Sequence, residues 1–142
     1  MRLWHIDLIP VLPKAQLIAQ WRECVAIVNK IDKAGSPQHG LVNKVLWFEP
    51  HHLYAYTKRI FVECIQRGIK VKESLMQEIT AKIYRNEDKF MRVFIDFTIW
   101  HNERYLRQCY YNLQEKYDCG LIKEREWREI YDFIKLKINI DD

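Results

Sequence analysis

The chain of 142 residues reads as an all-α fold, a single compact helical domain over 1–142 with an extended N-terminal arm. Three observations predict it. Apolar residues recur at Leu17, Trp21, Cys24, Val28 and Ile31, in steps of 4, 3, 4 and 3 that share one helix face. Pro13 and Pro50 sit where helices open, and Gly68 and Gly120 where they close. An apolar content of 49% with 30% charged residues supplies one modest core and excludes a disordered chain.

Pro10 and Pro13 bracket a short extended arm, and Pro13 suits a helix's first turn, where its missing N–H costs nothing. The first helix runs from Lys14 to about Lys33, where "AGSPQHG" breaks it. "VNKVLWF" fits a short strand or an irregular link. Glu49-Pro50 starts a second helix with Leu53, Ile60 and Cys64 on one face, ended by Gly68. Ser74 with Gln77 has capping-box spacing and opens a shorter third helix. Residues 88–117 are helical by composition, with a break near His101-Asn102, and Gly120 ends that stretch. Trp127, Ile130, Tyr131 and Ile134 stripe a last helix. No repeat, low-complexity tract or interdomain linker divides the chain. Trp21, Trp47, Cys24 and Cys64 are expected in the core.

The net charge of +4 is uneven, since residues 1–72 carry +6 and residues 73–142 carry −2. A basic half points to an anionic partner, nucleic acid first. No apolar run approaches the roughly 20 residues that span a bilayer, and "LIPVL" is too short and too proline-broken for a secretory signal. The expectation is a cytoplasmic monomer with no membrane partner. The four cysteines form no CxxC pair, and Cys24 and Cys64, on apolar helix faces, read as reduced core residues. Phosphate loops, dinucleotide glycine motifs, HExxH and GxSxG are absent. On a helix, His51 and His52 would point about 100° apart and make poor joint metal ligands. His5, Glu23 and His39 are the set that could converge on a metal, which leaves a metal-dependent hydrolase as one reading; the leading expectation is no metal and no cofactor.

Two stretches carry a resemblance. "MRLWHIDLIPVLPKAQLIAQWREC" has a basic residue behind its N-terminus (Arg2), a Leu-hydrophobic pair (Leu8-Ile9), a helix start at Gln16-Leu17 and an aromatic-Arg-Glu triplet (Trp21-Arg22-Glu23). "HGLVNKVLWF" and "LYAYTKRIFVECIQRGIKV" follow with a His, an aromatic segment and a helix ending Glu63-Cys64-x-x-Arg67-Gly68. In order and spacing these resemble the pyrimidine-dimer DNA glycosylase family, the phage-type endonuclease V. The likeness covers about residues 1–72, the basic half. Residues 73–142 carry no match, and the family's aromatic-basic C-terminal tail is not visible. Gln16 and Ala26 stand where the family has basic residues that face DNA.

The resemblance implies a DNA-repair glycosylase with abasic-site lyase activity on double-stranded DNA carrying a lesion such as a pyrimidine dimer. The N-terminal amine attacks the sugar C1′, displaces the base and forms an imine, and β-elimination nicks the strand. An α-amine suits this role because its usual pKa is about 7.7–8.0, so roughly one in ten is neutral at pH 7, against about one lysine in 2,500. Methionine before a bulky Arg2 is normally retained, and a one-residue insertion in the Pro10–Pro13 arm sets Met1 opposite the family's terminal residue. The expected catalytic groups are therefore Met1 and Glu23, the carboxylate serving to stabilise positive charge and shuttle a proton. Arg2, His5, Gln16, Arg22, His39 and Lys44 are the expected DNA contacts, with Lys14, Lys30 and Lys33 as further phosphate-binding candidates. Attack on C1′ needs a kinked duplex or an extruded nucleotide, and Trp4, His5 and Trp47 are candidates to wedge or stack. The alternative is a noncatalytic helical nucleic-acid-binding protein.

Overall fold

The apolar stripe predicted for the first helix becomes buried contact in a computed structural model that describes residues 1–140; the last two residues of the expected 1–142 unit lie outside it. Helix α1 (Lys14–Ala34) buries Leu17, Trp21, Cys24, Ile27, Val28 and Ile31, while Lys14, Arg22, Lys30 and Lys33 stay exposed on its other side. Gly35 stops it at φ 82°, a left-handed conformation that costs glycine nothing. Helix α2 (Pro50–Gln66) opens with Pro50 in its first turn and buries Leu53, Tyr56, Ile60, Phe61 and Cys64. Helix α3 (Glu73–Arg85) adds Met76, Ile79 and Ile83. These three helices pack on one another. Helices α4 (Glu103–Asp118) and α5 (Glu124–Lys137) form a second group. One apolar cluster runs through both, and no strand occurs among the described residues.

Several boundaries differ from expectation. "VNKVLWF" forms a 3-10 turn over Asn43–Trp47, neither strand nor open link. Ser74 does not cap α3, which begins at Glu73 after an extended Lys72. Residues 90–96 are not helical. The Met91 N–H bonds the Leu46 carbonyl at 2.6 Å and the Phe94 N–H bonds the Trp47 carbonyl at 3.1 Å, so this segment's backbone groups pair with the 43–47 turn. The helix starts where the break was expected, with Asn102 accepting from the Tyr105 N–H at 2.9 Å as its N-cap. Trp47 is 38% exposed, not core. His51 and His52 do not diverge; their rings lie 4.0 Å apart, the second bonded to the Ile95 carbonyl at 2.8 Å.

The N-terminal arm positions the site. Residues 1–5 have no regular structure, and Ile6–Val11 winds into a 3-10 segment packed against both α2 and α5. Arg67, at the end of α2, clasps it. Its guanidinium donates to the carbonyls of Leu12 (2.6 Å), Ile9 (3.0 Å) and Pro10 (3.1 Å), and to Glu63 at 2.9 Å. Only a planar fork reaches that many acceptors. Arg67→Lys is expected to cost about 2 kcal/mol, measured as a lower urea midpoint with an unchanged slope.

Two buried imidazoles hold the next turn. His101 Nδ1 accepts from the Ile6 N–H at 3.0 Å, and His5 Nδ1 accepts from the Asp7 N–H at 3.1 Å, so both rings serve as neutral acceptors. Burial pushes His101 down to about 2 and lowers His5 as well, although Asp7 opposes this at His5. The unfolded chain takes up these protons near pH 6.5 and the folded chain refuses them, so stability is intact above that value and falls below it. For His101 the loss is about 1.4 kcal/mol per pH unit. Urea titrations are expected to show a drop of about 2 kcal/mol between pH 7 and pH 5, flattened in His101→Gln.

Candidate active site

The site is built on Gln20, one turn before Glu23 on α1 and fully buried. Its Oε1 accepts from the Trp4 N–H at 2.7 Å. That bond fixes the amide's orientation, and Nε2 then donates to the Arg2 carbonyl at 2.9 Å and to Glu23 Oε2 at 3.0 Å. The Tyr56 hydroxyl lies 2.6 Å from the Trp4 carbonyl and 2.8 Å from Gln20 Oε1, its single proton serving one of them at a time. Tyr105 donates to the Leu3 carbonyl at 2.5 Å. Residues 2–4 are thus stitched to α1, α2 and α4, which aims residue 1 at Glu23.

Met1, Arg2, Trp4 and Glu23 line one cleft of about 260 Å³, closed by Leu41 from the loop after α1 and by Asn112 and Lys116 from α4. Met1 is 46% exposed, so residue 1 is reachable from solvent. Burial raises the Glu23 carboxyl above its usual range. The N-terminal ammonium, the Arg2 N–H, the Gln20 amide and His39 pull the other way, and burial outweighs them. A half-buried carboxylate that holds its proton closer to neutrality, beside an amine, is equipped to take and return a proton.

Arg2 and Leu41 also line a second cleft with Lys44, Trp100, Tyr105 and Gln108. Lys44, Trp100, Tyr105 and Gln108 recur in a third, where Ile99 and Arg104 join them. Each cleft shares lining residues with the next, so the three adjoin as a trough from Met1 to Ile99. The cations along it are Arg2, Lys44, Arg104 and Lys116, a rim suited to phosphates.

The structure therefore brings together Met1, Arg2, Glu23 and Lys44, with His39 near enough for its charge to act on Glu23. Arg22 is exposed on α1 and lines none of the three clefts. Gln16 is half-buried, its Oε1 enclosed without a partner, and it also stands outside them. His5 is 3% exposed, its ring lies 5.2 Å from that of His101, and both line a separate cleft with Asp7, Asn102 and Lys137. It does not join Glu23 and His39. Among the described residues, no group of three His, Cys, Asp or Glu side chains could hold a metal ion, so that triad is not assembled. Trp4 is 6% exposed, and the Arg2 guanidinium lies over its ring at 5.4 Å from the centroid.

Sequence reasoning missed Gln20, Leu41, Asn112 and Lys116. The ridge of Arg104, Gln108, Asn112 and Lys116, each four residues after the last, was a readable signal of one polar helix face.

No curated protein and no solved structure gives a match to the chain. The family model described as pyrimidine dimer DNA glycosylase matches residues 1–88, from the terminal arm through the end of α3. That span supplies Met1, Arg2, Glu23, Leu41 and Lys44 of the trough and the buried Gln20 behind it, while α4 lies beyond it. With well over half of its residues matched, the chain belongs to the pyrimidine dimer DNA glycosylase family, and its role is that of a DNA-repair glycosylase.

Proposed function

We propose that the protein is a glycosylase with abasic-site lyase activity whose nucleophile is the α-amine of Met1. The neutral amine attacks C1′ of a lesion nucleotide, the glycosidic bond breaks, and the base departs with its electron pair. Glu23 stabilises the positive charge on the opening sugar and carries the proton lost by the amine as the imine forms. Removal of a C2′ proton then expels the 3′ phosphate and nicks the strand. Arg2, Lys44, Arg104 and Lys116 hold the backbone of the damaged duplex along the trough. Arg22, exposed one residue before Glu23, serves a more distant phosphate.

The supporting observation is the shared cleft of residue 1 and Glu23, tied through Gln20. Lys116 lines the same cleft and is the rival nucleophile. Borohydride trapping on a duplex with one abasic site separates the two. The expected result is a covalent adduct whose proteolytic peptide begins at Met1, on a chain whose intact mass includes Met1. Reductive methylation that consumes the α-amine is expected to abolish trapping. An adduct mapped to Lys116, or to any lysine, would overturn the assignment, and failure to trap or nick would favour a noncatalytic binding protein.

A further inference from the structure

Leu41 is 54% exposed at the tip of a turn whose next residue, Val42, is fully buried in the core. The turn is rigid. The His39 carbonyl accepts from the N–H groups of Val42 (3.0 Å) and Asn43 (2.9 Å). Asn43 Oδ1 accepts from the His39 N–H at 3.0 Å, and the His39 ring accepts from the Leu41 N–H at 3.3 Å. A lone exposed leucine is ordinary on a protein surface. This one has a particular position: it stands between the Met1–Glu23 cleft and the next cleft along the trough, lining both. Arg2, Lys44 and Lys116 flank it. Trp47 and Ile99 are also exposed, but Trp47 lines neither of these clefts and rests on Phe94, and Ile99 lies at the far end.

We propose that Leu41 is the wedge that enters the base stack beside the lesion, a positioning residue that holds the damaged nucleotide open to the Met1 amine. An apolar side chain carried on a hydrogen-bonded turn and flanked by cations suits the way proteins part a base step and kink a duplex. The cations draw the strand in, and the leucine fills the space left by the unstacked base, so C1′ stays turned towards Glu23. The wedge matters most where stacked bases must be parted and least where a base is already missing. Leu41 thus sets the preference for base lesions over abasic sites. This inference rests on the proposed glycosylase/lyase reading.

The test compares the wild type, Leu41→Ala and Leu41→Met on two duplexes, one with a pyrimidine dimer and one with an abasic site. A 2-aminopurine beside the lesion reports unstacking. Leu41→Ala is expected to lower cleavage of the dimer duplex at least about tenfold more than cleavage of the abasic duplex, and to lose the 2-aminopurine fluorescence rise. Leu41→Met, still a long apolar wedge, is expected to restore both. Equal loss on the two duplexes, or a full fluorescence rise with Leu41→Ala, would overturn the wedge. If the wild type cuts neither duplex yet gives a rise that depends on Leu41, the wedge stands and the catalytic reading fails. No rise with any of the three proteins would overturn the wedge itself.

Discussion

Glu23→Gln is expected to bind damaged duplex with an affinity within about threefold of the wild type and to nick it at least about 100-fold more slowly, the range lost with a general acid–base group. The substitution is nearly isosteric. The new amide oxygen can still accept from Gln20 Nε2, now 3.0 Å from Glu23 Oε2, so the arm keeps its seat. Burial already penalises the Glu23 charge, so its removal does not strain the fold. In the proposed reaction, what disappears is the negative charge opposite the opening sugar and the acceptor for the amine's proton. Single-turnover nicking of an abasic duplex, beside fluorescence anisotropy for binding, separates the two effects. Full lyase activity in Glu23→Gln would remove this carboxylate from the mechanism.

Gln20→Leu is expected to be the most destabilising substitution near the site. Leucine matches the side chain in bulk but makes none of its bonds. The Trp4 N–H and the Arg2 carbonyl, now 2.7 and 2.9 Å from the Gln20 amide, lose their partner. Each unpaired buried group costs about 1–3 kcal/mol, and Tyr56 and Glu23 lose a neighbour as well, so a total near 3–5 kcal/mol follows. Melting should fall by roughly 10 °C. Below that transition the variant should still nick about tenfold more slowly, because residues 2–4 no longer hold the terminus against Glu23. A variant that melts lower yet nicks at the wild-type rate would show that Gln20 supports the core without aiming the amine.

Helices α1 and α2 were legible because their signals are local: apolar steps of three and four, a proline at the start, a glycine at the end. The stretch from Phe90 to Trp100 was not. Its aromatic and β-branched residues fit helix, strand or loop alike, and the segment takes its shape from carbonyls of the 43–47 turn, which composition does not reveal. Ser74 shows the limit of a spacing rule: the capping pattern is present, yet the helix begins one residue earlier. At the site, Met1, Arg2 and Glu23 became candidates through the family resemblance of the first stretch, not through periodicity or local spacing. The burial of His5 could not be read locally, since it packs on His101, 96 positions away in sequence. Lys116 and Asn112 reach the cleft only through the docking of α4, and no periodicity within α1 announces them.

The arm's fastenings set an order of assembly. The Ile6 N–H finds its acceptor on His101 and the Leu3 carbonyl its donor on Tyr105, separations of 95 and 102 residues. Helices α1 to α3 can gather while the chain is still being made, but the arm has no finished seat, and the cleft no wall from Asn112 and Lys116, until α4 has left the ribosome. Fragments ending before that helix would keep the fastenings from Gln20, Tyr56 and Arg67 but lack those of Leu3 and Ile6, and their cleft would stand open on one side.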